Sequence, residues 1–438
     1  MGVRRRMVAL AAALGMAAGG LAVAVGGGGA ASAAVTCSGT VWREGPTYTA
    51  GQQVTYSAHL YQALVTHTAW AGTGWNPAAT PTLWRDLGAC TGGPTTPPPT
   101  TTPPPATTPP VTTPPPTTQP PVGCAVRGKP AGKVLQGYWE NWDGASNGVH
   151  PGLGWIPIND SRIVQHGYNV LMAAFPVIRS DGTVLWENGM DAGVKVPTAA
   201  EICAAKAQGA TILMSIGGAT AGVDLSSAAV ADRFVSTIVP ILRQYNFDGI
   251  DIDIETGLTG SGTINQLSTS QANLIRIIDG VLAAMPSNFG LTMAPETAYV
   301  TGGSVTYGSI WGSYLPIIKK YLDSDRLWWL NMQYYNGSMY GCAGDSYGAG
   351  TVQGFTVQTQ CLNNGLTIQG TTIRIPYDKQ VPGLPAQPGA GGGYMTPALV
   401  TQAYNSVPGI KGLMTWSINW DGSKNWTFGD NVKRLQGR

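Results

Sequence analysis

The 438-residue sequence predicts an α/β fold, a (β/α)₈ TIM barrel preceded by a small all-β module and a Pro/Thr-rich linker. Three observations predict it. Eight apolar, strand-like runs fall at 134–139, 169–175, 210–216, 249–255, 291–295, 327–335, 373–376 and 412–418. Helical patterns separate several of them: an alanine-rich stretch at 198–208, Val230, Phe234, Ile238 and Leu242 at near-helical spacing in 226–245, and a similar pattern at 264–285. Polar residues gather at the C-terminal ends of the runs, where a barrel builds its sites: Glu140 and Asn141, Ser215 to Gly218, Glu255, Glu296, Gln333 to Asn336, and Trp416 to Asp421.

The chain opens with Arg4-Arg5-Arg6, an apolar Ala/Leu/Val/Gly stretch and Ala31-Ser32-Ala33-Ala34, the order of a secretory leader cleaved after Ala33 or Ala34. A membrane anchor is the competing reading. The stretch is poor in large apolar side chains, and no other run is long enough to span a bilayer, so the expected product is exported with no membrane attachment. Loss of the three arginines with residues 1–34 leaves 22 basic against 23 acidic residues, a balance that argues against a nucleic-acid or other polyanionic partner.

Residues 35–90 form the small module. Short strands are expected around Val54 to Tyr56, Leu60 to Val65 and Leu83-Trp84, between turns rich in Gly, Pro and Asn. Trp42, Tyr48, Tyr56, Tyr61, Trp70, Trp75 and Trp84 are many aromatics for its size; two or three serve a core. Trp75, between Gly72-Thr73-Gly74 and Asn76-Pro77, is the one expected at the surface, as a stacking platform for a flat apolar ligand face such as a sugar ring. In the linker, 91–123, 25 of the 28 residues from Pro94 to Pro121 are Pro or Thr, which excludes a core and favours an extended tether.

Six cysteines in an exported chain favour disulfides. Cys37 and Cys90 bracket the module, Cys342 and Cys361 bracket a Gly-rich stretch, and Cys124 and Cys203 pair by elimination. Their spacings fit no zinc pattern, and no cofactor or catalytic metal is implied.

The barrel region, 124–438, carries its chemistry in the fourth run, Asp248-Gly249-Ile250-Asp251-Ile252-Asp253-Ile254-Glu255. Isoleucines alternate with Asp251, Asp253 and Glu255, so one strand face is greasy and the other acidic. Crowded carboxylates raise one another's pKa, which is poor for a core and suited to keeping a general acid protonated. A calcium loop is the alternative, but such loops need turn residues between ligands, which β-branched isoleucines oppose.

With these residues in view, the barrel region resembles family 18 glycoside hydrolases, and specifically the bacterial chitinases among them. The likeness runs through Ser215-Ile216-Gly217-Gly218, the acidic motif 248–255, Met332-Gln333-Tyr334-Tyr335-Asn336 and Trp416. The module resembles chitin-binding modules of carbohydrate-binding families 5 and 12 through 48–56, Tyr61-Gln62-Ala63, His67-Thr68, Gly74-Trp75-Asn76-Pro77 and 81–84. The first resemblance implies hydrolysis of β-1,4 bonds between N-acetylglucosamine units, with Glu255 as acid and the substrate's acetamido oxygen as nucleophile. It implies that Asp253 supports the oxazolinium intermediate, that Asp253 and Glu255, on one strand face, can share a proton or contact, that Asp251 shares a proton with Asp253, and that Tyr335 contacts the acetamido oxygen. Gln333 lines the pocket and Trp416 underlies the distorted sugar. Asp248 holds the start of the strand, and Ser215, Gly217 and Gly218 are structural. The second resemblance makes Trp75 the chitin-stacking residue and puts Tyr56, Tyr61 and Trp84 mostly in the core.

The expected protein is a secreted, endo-acting, monomeric chitinase whose partners are chitin and chitooligosaccharides. Endo action follows from 337–378, which reads as a connection rather than an added domain walling the cleft. Two alternatives stay open: an endo-β-N-acetylglucosaminidase on N-glycans, and a non-catalytic chitin-binding protein. Tyr138, Trp139, Glu140 and Trp142 fit either cleft or core, and Met214, Met293 and Met332 either core or pocket wall.

Overall fold

A computed structural model describes residues 37, 40–43, 46–64, 67–69, 77–78, 84–90, 123–142, 153–219 and 221–438. The leader, Trp75 and most of the Pro/Thr linker lie outside the described residues. The chain divides into two units, Met1–Thr112 and Thr113–Arg438.

In the first unit, Thr40–Val41, Gln53–Tyr56, His59–Ala63 and Trp84–Ala89 form one sheet, and Thr47–Tyr48 pairs with His67–Thr68. Ser57 and Ala58, both at positive φ, make the two-residue turn of the central hairpin, whose twist matches that of its strands. Tyr48, Val54, Tyr61, Ala63, Ala69 and Trp84 are its core. Tyr56 packs edge-on against Trp42 at 5.2 Å and is only half-buried. Cys37 and Cys90 are bonded, closing a unit too small for a large core.

The second unit is a (β/α)₈ barrel. Its parallel strands are β1 Val134–Glu140, β2 Val170–Ala174, β3 Thr211–Gly217, β4 Gly249–Asp253, β5 Gly290–Met293, β6 Trp329–Leu330, β7 Gly383–Pro385 and β8 Gly412–Trp416. Parallel bridges Leu330–Gln380 and Gln333–Gly383 join β6 to the β7 side and close the ring. The outer helices are α1 Ser161–Gln165, α2 Ala199–Ala207, α3 Ala228–Gln244, α4 Thr269–Ala284, α5 Leu315–Asp323, α6 Val352–Asn364, α7 Pro397–Ser406 and α8 Thr427–Leu435, and a further short helix, Ile418–Gly422, follows β8 directly.

Strand alternation sorts side chains into two layers. Ile212, Met214, Ile216, Ile250, Ile252, Ile254, Met293 and Met332 face the helices and fill the larger core. The methionines are therefore core and not pocket wall. Val134, Tyr138, Met172, Leu213, Trp329, Tyr335 and Met414 point into the barrel. Trp139 faces outward with its indole N–H on the Ile156 carbonyl at 2.9 Å, so it belongs to the core.

Two elements differ from expectation. The run 373–376 is not the seventh strand: Thr371–Ile373 folds back antiparallel on Leu366–Ile368 through Gln369 and Gly370, both at positive φ. The seventh strand lies further on, flanked by Pro382 and ending in Pro385. Proline donates no ladder hydrogen bond, but three residues suffice here because the Pro382 carbonyl accepts the Met414 N–H at 2.9 Å. In the connection before it, α6 forms without strong apolar periodicity, capped by Thr351, and Cys361 within it bonds Cys342.

The barrel floor is latched by the segment that follows the linker. Cys124 bonds Cys203 on α2, the Arg127 guanidinium donates to the Lys206 and Ala210 carbonyls, and Lys411 donates to the Pro130 and Ala131 carbonyls. No described helix is long and apolar enough to cross a membrane.

Candidate active site

The acidic face of β4 points into the barrel mouth. Asp251, deepest, is fully buried and accepts four hydrogen bonds, from Tyr138 Oη (2.7 Å), Ser215 Oγ (2.8 Å), Thr292 Oγ1 (2.6 Å) and Asn331 Nδ2 (3.1 Å). Burial pushes its pKa up while these donors hold it down. The donors reach both oxygens, and the charge of Asp251 helps to raise the pKa of Asp253 above it. Asp253 also pairs with Glu255, and Gln333 Nε2 donates across both, at 2.9 Å to Asp253 Oδ1 and 3.0 Å to Glu255 Oε1.

Burial, then the charges of Glu255 and Asp251, push Asp253 well above the carboxylate range. Burial also raises Glu255, and the Glu296 carboxylate adds to the effect, against the Gln333 hydrogen bond. Among the described residues no Lys, Arg or His forms an ion pair with either acid. The pair therefore holds a proton where ordinary carboxylates are ionised. Tyr335 is buried beside it, and burial followed by the charges of Asp253 and Glu255 keeps its phenol protonated, as a donor.

The strand end is held by backbone contacts. Gly217 and Gly218 both take positive φ; a Cβ on Gly217 would lie 2.0 Å from the Asp253 carbonyl, and one on Gly218 would meet the Phe175 ring at 2.8 Å. Only glycine lets β3 close this tightly on β4, and the Gly218 N–H donates to the Asp253 carbonyl at 2.7 Å. Tyr314 Oη donates to the Ile254 carbonyl and accepts its N–H, while Tyr299 Oη donates to the Glu255 carbonyl at 2.5 Å. At the opposite end, Asp248 accepts from the Arg127 N–H, the Ile212 N–H and the Lys206 ammonium, anchoring the start of β4.

Trp416, at the end of β8, is partly exposed and opens an aromatic strip. Its ring stacks on Phe175 at 6.0 Å, lies 6.0 Å from Trp142 and meets Tyr138 at 5.4 Å. Buried Glu140 accepts the Ser417 hydroxyl at 2.5 Å and its N–H binds Asn419, tying β1 to the turn that carries Trp416. A groove of about 620 Å³ runs from Trp416 past Phe175 and Trp142 to Ile178 and Asp191.

Several contributors were not singled out from the sequence. Thr292 and Asn331 lie two residues before Ala294 and Gln333 on inward-facing strand positions, so the same period of two would have found them. Tyr299 and Tyr314 sit beyond β5 and carry no such pattern.

The model of the family described as "Glycosyl hydrolases family 18" matches residues 134–361, more than half of the chain. The chain belongs to that family. The model for carbohydrate-binding module family 5/12 matches residues 41–85. This family 18 chain is 81% identical over 309 residues to Endochitinase 37 of Trichoderma harzianum, covering 70% of this chain and 92% of that protein. It is 79% identical over 311 residues to Endochitinase 4 of Metarhizium robertsii, covering 71% and 90%. The crystal structure of a family GH18 chitinase from Chromobacterium violaceum is similar at a TM-score of 0.60 and 29% identity, covering 92% of this chain and all of that one. The likeness to bacterial chitinases in particular is corrected by these matches, since the relatives at 81% and 79% identity are fungal. The quoted motifs answer to barrel geometry and acid chemistry, and neither carries lineage.

Glu296, which follows β5, is half-buried and its backbone bridges Gln333. Its charge helps to hold the Glu255 proton. Glu296→Gln removes that charge, so the acid ionises at lower pH. The alkaline limb of kcat/KM on chitooligosaccharides is expected to move to lower pH, and a full pH–rate profile of both proteins measures it.

Proposed function

We propose that this chain is a secreted, endo-acting chitinase that cleaves chitin and chitooligosaccharides with retention, through an oxazolinium intermediate. One observation carries the reading: Asp253 and Glu255 form a proton-holding pair bridged by Gln333 at the mouth of a family 18 barrel. Glu255 protonates the leaving glycosidic oxygen as the substrate's acetamido oxygen attacks the anomeric carbon. Asp253 accepts the acetamido N–H and stabilises the positive charge that develops, with Asp251 held below it by its four donors. Tyr335 donates its hydroxyl to the acetamido oxygen, and Gln333 orients both acids. Water then opens the oxazolinium ring at the anomeric carbon and returns a proton to Glu255.

Trp416 is the floor of the sugar that undergoes cleavage, and Trp75 the residue that grips the polymer. The chain is organised as a leader (1–34), a chitin-binding module (35–90), a linker (91–123) and the catalytic barrel (124–438). It acts as a monomer without cofactor, outside the cell, with no membrane or nucleic-acid partner. The names of the two fungal relatives support chitin as substrate over N-glycans.

Incubation with colloidal chitin tests the reading. Mainly chitobiose is expected in solution, with much of the protein sedimenting with the polymer, and Trp75→Ala is expected to lower the sedimented fraction. Sedimentation with no sugar released from chitin or chitooligosaccharides would make the chain a two-module binder.

A further inference from the structure

The groove beside Trp416 is lined by aromatic and small residues, and a single ionisable side chain, Asp191, is found among its described lining residues. Asp191 lies between β2 and α2. Its Oδ1 accepts the Ala192 N–H at 2.7 Å, and Oδ2 has no partner among the described residues. No described Lys, Arg or His forms an ion pair with it; Lys195, the nearest cation along the chain, lies over the Trp155 ring, 5.4 Å from its centroid.

We infer that Asp191 selects a cationic sugar, so that the favoured substrate is partially deacetylated chitin with a glucosamine unit in this groove. The inference rests on the hydrolase reading above and specifies its substrate. Asp191 is exposed, so its carboxylate attracts a cation with the strength of a surface charge pair. A chitin chain offers only one cation, the ammonium left at C2 when an acetyl group is lost. The unit over Trp416 must keep its acetamide, because that group is the nucleophile. The groove leads away from Trp416 over the β1, β2 and β3 ends, and Glu255 and Glu296, on the leaving-group side, are not among its described lining residues. Asp191 therefore meets a unit further toward the non-reducing end. Phe175 and Trp142, stacked on each other at 6.0 Å, offer ring faces to the sugars between.

The test is digestion of a partially deacetylated chitosan of known composition, with products labelled at the reducing end and sequenced by mass spectrometry. Glucosamine is expected at the second or third unit from each new reducing end about two- to five-fold above its share in the polymer, the range of an exposed charge pair. Asp191→Asn and high salt are each expected to remove the excess. In parallel, the ratio of kcat/KM on a glucosamine-containing pentamer to that on chitopentaose is expected to fall in Asp191→Asn by about the same factor. Absence of enrichment, enrichment that survives Asp191→Asn, or equal losses on both pentamers would overturn the proposal; equal losses would assign Asp191 to the hydroxyls of neutral sugars. Failure of the wild type to cut chitopentaose at all would instead defeat the hydrolase reading, and this proposal with it.

Discussion

Glu255→Gln is expected to lower kcat on chitooligosaccharides by about 10³-fold, inside the roughly 10²–10⁴-fold that a positioned general acid contributes. That is ~4 kcal/mol of transition-state stabilisation. The amide keeps the shape of the acid, and its carbonyl can still accept the Gln333 hydrogen bond, so the barrel mouth retains its geometry. It has no proton of suitable acidity to give the leaving oxygen. KM is expected to change far less than kcat, because the lost interaction forms only as the glycosidic bond breaks. Sedimentation with colloidal chitin is expected to stay at the wild-type level. Steady-state kinetics on a soluble oligosaccharide checks the first expectation, and a fall of less than about tenfold would move the acid elsewhere, with Glu296 the next carboxylate to examine.

The second large effect is on stability. Asp248 and Lys206 form an ion pair at 2.6 Å with side chains 0% and 4% exposed, and Asp248 also accepts two backbone N–H groups. Asp248→Ala leaves an ammonium buried with the Asn246 carbonyl as its one other partner among the described residues, and strips the Arg127 and Ile212 N–H groups of their acceptor. Breaking one side of such a pair costs about 3–5 kcal/mol. The urea-unfolding midpoint, with disulfides intact, is expected to fall accordingly. Adding Lys206→Met removes the stranded charge and is expected to restore part of the loss. A single-variant loss under ~1 kcal/mol would show that the Arg127 segment and the Cys124–Cys203 bond hold the barrel floor without this pair.

The legible parts of this molecule are those where one physical demand acts on neighbouring residues. Asp251, Asp253 and Glu255 share a strand face because alternation is a local property, and the isoleucines between them face the helices for the same reason. Gly217 and Gly218 stand out because two consecutive glycines at a strand end signal a close backbone approach. What escaped depends on distant parts of the chain. β7 is short and bounded by prolines, and it is a strand only because its neighbours accept and donate around it. The hairpin that displaced it, 366–373, has the β-branched composition of a barrel strand but turns at Gln369-Gly370. Spacing places Asp251 and Glu255 equally far from Asp253 along the strand, so it offers Asp253 a proton partner on either side without ranking them. Four donors, on β1, β3, β5 and just beyond β6, satisfy Asp251, and Gln333 bridges Asp253 to Glu255. Asp191 sits in a loop whose position against the aromatic strip no local pattern reveals.

The central claim is that the anomeric carbon is attacked twice, first by the substrate's acetamido group and then by water, and not once by a directly activated water. Proton NMR of chitopentaose during its first seconds of cleavage by the wild-type protein tests this most directly. Two displacements at one carbon predict that the new reducing ends appear first as the β anomer and mutarotate afterwards. First appearance of the α anomer would mean a single inversion by water, and would contradict the roles given to Asp253 and Tyr335.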